Sequence, residues 1–445
     1  MMDTPICDFV NSYAESGSTR LHMPGHKGKD FLGFEKYDIT EIDGADSLYH
    51  ANGIIEKSEN NASSLFTTGK TLYSCEGSSL CIRAMLYLTM LYAKENGKRP
   101  LILAGRNAHK TFITAAALLR LDVGWLYPAK NESYLSGEVN IIELEKRIKT
   151  DKPCAVYLTS PDYLGGMCSL ADVSRICKRN GVLLLVDNAH GAYLKFLSPS
   201  LHPIDLGADM CCDSAHKTLP VLTGGAYLHI SKAAPKLFYD EAKNALALFG
   251  STSPSYLILQ SLDKANRYLS DGYKERLTSC VQTVTEVKEK LSEKITLFGI
   301  EPLKLTFSPK SYGYTGNEFA RELQKLGLIC EFSDPDFTVL MLTPENGENE
   351  TRSILQAVNK IERKPAIEAF PPVIEKSEAV LTPSQALTAK KETVKTENCP
   401  GRISASVSVS CPPAVPIVIL GERISESAKD ALLYYSVNEI EVIKE

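Results

Sequence analysis

No window of this sequence approaches the roughly 20 consecutive apolar residues that span a bilayer, so no membrane-crossing helix is expected. The opening stretch, MMDTPICDFVNSYAES, lacks the apolar core of a secretion signal, which points to the cytoplasm. A basic block is missing too. With 49 Lys+Arg against 54 Asp+Glu the net charge is −5, and nucleic acid is not expected as a partner. None of the 12 cysteines forms a CxxC pair, and the adjacent Cys211 and Cys212 are poorly placed to bridge or to share a metal. Scattered thiols of this kind are expected to be reduced, to act as small buried hydrophobes, and to hold no metal. Neither GxGxxG nor GxxxxGK[ST] follows the first strand-like run, which excludes dinucleotide and P-loop sites. His22 and His26 have the spacing of a helical zinc pair, but Pro24-Gly25 between them prevents a regular helix.

What is present describes an ordinary globular chain: 445 residues, 44% hydrophobic and 23% charged. From about residue 71 to 230, short apolar runs alternate with amphipathic stretches. TLYSC (71–75), LILAG (101–105), CAVYLTS (154–160), GVLLLVD (181–187), ADMCCDS (208–214) and GAYLHIS (225–231) read as strands. Helical patterns lie between them at 79–97, 111–121 and 171–181. Strands buried on both faces and separated by helices predict a mostly parallel sheet in an α/β domain. After residue 260 a long charged helix (271–294) leads into shorter helices and strands, a smaller α+β domain. The domains are therefore expected as an N-terminal segment 1–65, a large domain 66–260 and a C-terminal domain 261–445. Residues 365–400, rich in Lys, Glu and Pro, read as a linker, and AVPIVIL (414–420) as a return to a sheet.

Three features carry chemistry. Asp213-Ser214-Ala215-His216-Lys217 leaves a buried strand, where a lysine beside a histidine and a serine suits a Schiff-base amine, although a surface lysine in a turn has the same local look. Asp187 ends the strand GVLLLVD and is followed by His190 and by the small residues Ala189, Gly191 and Ala192. Ligands of doubly wound sheets bind outside the carboxyl ends of strands, and small residues there admit a flat ring. Asp187 read alone is also consistent with a helix N-cap. Glu76-Gly77-Ser78-Ser79 opens a helix, where amides and hydroxyls together hold a phosphate. An acid for a pyridine nitrogen, a Schiff-base lysine and a phosphate cradle are the set that pyridoxal 5'-phosphate (PLP) requires. His109, after the strand at 101–105, is placed to stack on such a ring or to be an ordinary loop histidine.

The motifs LHMPGHKG (21–28), DNAHGAY (187–193), DSAHKTLP (213–220), STSPSY (251–256) and GRIS…PPAVP (401–416) together resemble the Orn/Lys/Arg decarboxylase family. The resemblance runs from about residue 20 to 425. It implies a fold-type-I, aspartate-aminotransferase-like PLP enzyme in the short form, without an N-terminal receiver-like domain. By that resemblance Lys217 binds PLP covalently, Asp187 pairs with the pyridine nitrogen, His109 stacks on the ring and His190 lines the site. Gly77, Ser78, Ser79, Ser214 and His216 hold the phosphate, and His216 or Lys217 returns a proton to the product. Ser251, Thr252 and Ser253 reach the phosphate of a neighbouring subunit, implying a homodimer with active sites at its interface. The implied reaction is decarboxylation of arginine, lysine or ornithine to the amine, feeding polyamine synthesis.

A basic substrate needs a carboxylate partner, and Asp43, Asp46 and Glu422 are the candidates by charge and resemblance. The chain departs from the family at Cys411-Pro412-Pro413-Ala414-Val415-Pro416, at Leu420-Gly421-Glu422, at Ser79-Leu80-Cys81-Ile82 and at Asp162. Two other readings stand beside the decarboxylase. One is an aminotransferase or carbon–sulfur lyase, for which Arg352, Arg363 or Arg402 would hold the α-carboxylate; the other is a catalytically silent homologue.

Overall fold

The computed structural model describes residues 2–128, 133–407 and 413–444. Seven strands come first in the chain: β1 Lys70–Ser74, β2 Leu101–Gly105, β3 Asp122–Leu126, β4 Ala155–Thr159, β5 Leu183–Asp187, β6 Met210–Asp213 and β7 Ala226–Ile230. Among them run α1 Pro5–Glu15, α2 Ile54–Phe66, α3 Gly77–Glu95, α4 Lys110–Leu118, α5 Ile141–Asp151 and α6 Leu170–Arg179. By packing, the chain divides into two interleaved units, Met1–Lys98 with Leu170–Arg276, and Arg99–Ser169 with Leu277–Glu445. This differs from the three consecutive domains that the composition suggests.

In the first unit the strand order is β1-β7-β6-β5. β5 and β6 run parallel, and β7 runs against both its neighbours. Every residue of β5, β6 and β7 is buried, which is why their sequences are continuous rather than alternating apolar runs. Behind them α3 buries Leu80, Cys81, Ile82, Ala84 and Met85 in succession. The apolar start of that helix, a departure from the family pattern, therefore serves core packing. α1 is fixed by a buried carboxylate: Asp263 Oδ2 accepts the N–H groups of Ile6 and Cys7, both at 3.0 Å, while Oδ1 accepts Ser58 Oγ at 2.6 Å. These N–H groups belong to a first helical turn and have no carbonyl of their own helix to reach.

In the second unit β4, β2 and β3 lie side by side and parallel. The same unit holds an antiparallel sheet in the order Phe332–Ser333, Thr338–Met341, Lys304–Ser308, Thr296–Phe298. The helix Gly316–Lys325 beside it starts on a reciprocal cap, Thr315 with Glu318. Further along, Lys391–Lys395 pairs with Glu439–Ile443 over a core that includes Cys399, Ile417, Val418, Leu432 and Val442.

Two expectations need correction here. Residues 365–400 are not all linker, since they contain the helix Pro383–Thr388 and the strand Lys391–Lys395. AVPIVIL is buried throughout, yet no strand forms there. Its polar backbone is satisfied another way: the Arg106 guanidinium donates to the carbonyls of Pro416 (3.1 Å) and Ile417 (2.8 Å), and Lys110 N donates to that of Ala414 (2.8 Å). Asp162 is likewise a turn-builder, accepting backbone N–H groups from Gly137, Leu164 and Gly166. Among the described residues, no helix is long and apolar enough to cross a membrane.

Candidate active site

The first unit brings most of the expected residues together at the carboxyl ends of β5 and β6 and the start of α3. Asp187 is the last residue of β5 and is 3% exposed. Its Oδ1 accepts the Ala189 N–H at 3.2 Å and lies 3.7 Å from Cys212 Sγ. The next turn carries His190, also buried, whose Nε2 lies 3.0 Å from Lys217 Nζ. Lys217 sits on the four-residue helix Ala215–Thr218 immediately after β6. The sharp turn after β5 requires a glycine at 191, because a Cβ there would lie 2.1 Å from Asn188 Oδ1.

At the start of α3 the Ser214 hydroxyl donates to Ser78 Oγ at 2.9 Å, bringing two of the expected phosphate ligands into one place. Gly77 has φ +69°, with open space where a side chain would begin. Its own N–H is taken by Gly224 O (2.7 Å), so Gly77 shapes the turn. The first-turn amides of Ser78 and Ser79 and the hydroxyls beside them are the groups at this end that could hold an anion. His216 Nδ1 lies 3.0 Å from Gly225 O. A carbonyl only accepts, so Nδ1 carries the proton and a neutral His216 keeps its lone pair on Nε2.

These residues fit a planar cofactor that carries a phosphate. A buried carboxylate ends one strand, an amine follows the next, and paired hydroxyls stand at a helix start. Thr218 Oγ1 and Asn188 Oδ1 are buried polar atoms without a hydrogen-bond partner in the same stretch of chain.

Ser251, Thr252 and Ser253 are exposed, and the loop is tied back to α3 by Ser251 N donating to Glu76 Oε1 at 2.6 Å. His109, in the second unit, is the N-cap of α4, with Nδ1 accepting Thr111 N at 3.2 Å, which fixes its ring plane.

Two proposed substrate carboxylates are otherwise engaged. Asp46 accepts four backbone N–H groups, from Ser47, Asn52, Gly53 and Ile55, at 2.9–3.1 Å. Partial burial opposes its ionisation, but those N–H groups prevail and hold its carboxyl below the usual range. Glu422 is 3% exposed and ion-paired to the buried Arg106 at 3.2 Å. It also accepts Ile419 N at 2.8 Å. Asp43 is exposed in a turn.

The arginines required by an aminotransferase are engaged too. Arg402 bonds Glu392 and the carbonyl of Ile443, Arg352 pairs with Glu348 and Glu286, and Arg363 reaches Ser311 O. Cys411 and Pro412 lie outside the described residues. The motifs gave no reason to single out Asn188, Asp213, His202 or His229 by role. The available signal was a charged residue, Asp213, closing an otherwise apolar strand, since a buried charge must be paired.

Known proteins share the sequence pattern and the fold of this chain. Residues 4–310 match the model of the Orn/Lys/Arg decarboxylase major domain, and residues 366–442 that of its C-terminal domain. The chain is 28% identical to the uncharacterised protein YaaO of Bacillus subtilis (strain 168), over 97% of this chain and 94% of the other. It is 26% identical to an arginine decarboxylase of the same organism, over 95% and 92%. In fold it is similar to the Francisella novicida lysine decarboxylase LdcF, with a TM-score of 0.79 at 17% identity over 99% of this chain and 81% of that one. The constitutive lysine decarboxylase of E. coli gives 0.77 at 18% identity, over 99% and 82%. A NifS-like protein gives 0.57 at 15% identity, over 81% and 95%, a broader likeness among enzymes of this fold. With both domain models matched in order over most of its length, the chain belongs to the Orn/Lys/Arg decarboxylase family.

Proposed function

We propose that this protein removes the α-carboxylate of a basic amino acid (arginine, lysine or ornithine) as CO2, using PLP attached to Lys217. The observation that carries the reading is the pairing of Lys217 Nζ with His190 Nε2 at 3.0 Å, in a chain that places the buried Asp187 three residues before that histidine. PLP, when bound, withdraws the electrons left behind by the departing carboxylate.

The protein's own part divides among its side chains. His190 Nε2 accepts a proton from Lys217 Nζ and so presents the amine as a nucleophile. Asp187, buried at the end of β5, would supply the carboxylate that pairs with the pyridine nitrogen. Ser78 and Ser79, at the first turn of α3, with Ser214 bonded to Ser78, would hold the phosphate end. His216 takes and returns a proton at Nε2, because Nδ1 is held by Gly225 O.

The working form in this proposal is a cytoplasmic homodimer that contributes to polyamine synthesis, with Ser251, Thr252 and Ser253 serving the second copy. In support, the segment 21–34 leaves Leu21, Met23, Phe31 and Leu32 more than half exposed. Polar bonds hold that segment in place: Arg20 to the carbonyls of Glu35 and Lys36, and His26 to Asp38. An ordered segment that displays large apolar side chains is the mark of an interface. Asp43 remains the proposed partner of the substrate's basic group.

The test is to add PLP, record the visible absorbance, reduce with borohydride and map the labelled peptide, then measure CO2 release from the three amino acids. A label on Lys217 and CO2 from at least one of them is expected. A label on another lysine, or transfer of the amino group to a keto acid without CO2, would overturn the reading.

A further inference from the structure

Asp213 ends β6 one residue before the turn that carries Ser214 and Lys217, and it is completely buried. Its carboxylate accepts three side-chain hydrogen bonds. Asn188 Nδ2 donates to Oδ1 at 2.7 Å, and the Nε2 atoms of His202 and His229 both meet Oδ2 at 3.1 Å. A carboxylate only accepts, so both rings carry their proton on Nε2. His229 Nδ1 is then the acceptor for Thr71 Oγ1 at 2.9 Å. Burial opposes the charge on Asp213, but the two imidazoles outweigh it and hold its carboxyl well below the usual range. Burial also keeps His229 below the usual imidazole range. The cluster thus sets one buried carboxylate against two imidazole N–H donors.

For stability alone an apolar residue serves as well as a compensated buried ion. What the carboxylate adds is a grip on the turn after β5. Asn188 follows Asp187 directly, and its backbone N–H donates to Cys212 O at 2.9 Å. Asp213 therefore holds the residue next to Asp187 on one side. On the other it is joined through the chain to Ser214 and Lys217. We propose that Asp213 is a positioning residue, which through Asn188 and against His202 and His229 sets the spacing between the Asp187 carboxylate and the Lys217 amine. The proposal rests on the roles given above to Asp187 and Lys217.

The same atoms suggest a rival. Ligand atoms of His202, Cys211 and Asp213 all lie within 4.8 Å of one another, so the cluster resembles a metal site. Elemental analysis of the purified full chain separates the two: no equimolar metal is expected, and equimolar zinc would overturn the positioning role.

The decisive variant is Asn188→Ala, because it releases the turn while leaving the buried anion and both imidazoles in place. PLP affinity is expected to fall about tenfold, as for one lost hydrogen bond to a charged group. The pH midpoint of the bound cofactor's visible band should also move, which a general loss of stability does not cause. His202→Gln keeps an N–H donor toward Asp213 and should retain PLP affinity within about twofold of wild type. If Asn188→Ala lowers the melting temperature but leaves PLP affinity and the midpoint unchanged, the positioning role is refuted. If the wild-type chain binds no PLP, both this proposal and the reading beneath it fall.

Discussion

Glu422→Gln separates two roles for one carboxylate. The Arg106 and Glu422 side chains are 9% and 3% exposed and meet at 3.2 Å. Removing one partner from a buried pair costs about 3–5 kcal/mol, because the other charge is left uncompensated. Glutamine keeps the shape and one acceptor for Ile419 N, so the lower end applies, about 3 kcal/mol. For a folding unit of this size that corresponds to a fall of roughly 6–12 °C in Tm. Arg106 also holds the carbonyls of Pro416 and Ile417, so the double variant Arg106→Met/Glu422→Gln recovers only part of the loss. The assay is thermal unfolding beside steady-state kinetics on the three basic amino acids. The expected result is a lower Tm with KM within a few-fold of wild type. A KM raised about a hundredfold at unchanged Tm would mean that Glu422 meets the substrate, and the structural assignment would be wrong.

Other predictions can be checked by simple measurements. Burial pushes the Asp334 carboxyl up to about 7 from 3.8, so the folded state binds a proton that the unfolded state releases between those values. Stability should therefore fall as pH rises from about 4 to 7. Asp334→Asn should flatten that slope and raise Tm at pH 8, by at most about 4 kcal/mol of stability. Asp46→Asn takes one acceptor oxygen from the N–H groups at the start of α2, and should cost about 1–2 kcal/mol in thermal unfolding without changing KM. Gly77→Ala should cost about 1–2 kcal/mol, since φ +69° disfavours any side chain even where space is open; equal stability would contradict that turn geometry. The partly buried thiols of Cys75 and Cys330 are pushed up to about 12 and about 11, so iodoacetamide should label them slowly at pH 7 and rapidly after unfolding.

The strands that the sequence revealed best are those whose every residue is buried. LILAG became β2 without a shift, and GVLLLVD contains β5. β3, Asp122–Leu126, was missed because only Leu126 is fully buried and it follows α4 almost at once. Lys391–Lys395 looked like a linker because three of its five residues, Lys391, Glu392 and Lys395, are charged, although Val394 packs on the C-terminal core. AVPIVIL shows the opposite failure. Composition reports burial, and a side chain distant in sequence, Arg106, supplied the hydrogen bonds that a strand would have needed. The candidate site was legible where chemistry sets residue type, as at Asp187 and Lys217, which the fold places at the ends of neighbouring strands. It was not legible where a carboxylate's partners lie far off in the chain, as at Asp46, Asp213 and Glu422.

The pairing of β1 with β7 has a consequence for how the protein is made. Thr71 and His229 are neighbours in that pairing, yet 158 residues separate them. At a ribosomal pace of about 5–20 residues per second, β1 emerges and waits roughly 8–30 s for its partner. During that interval the hydrogen-bonding edge of β1 is bare, with Leu72 and Tyr73 beside it. A nascent chain halted before residue 226 should therefore be a strong client of holding chaperones, and one released after residue 276 a weak one.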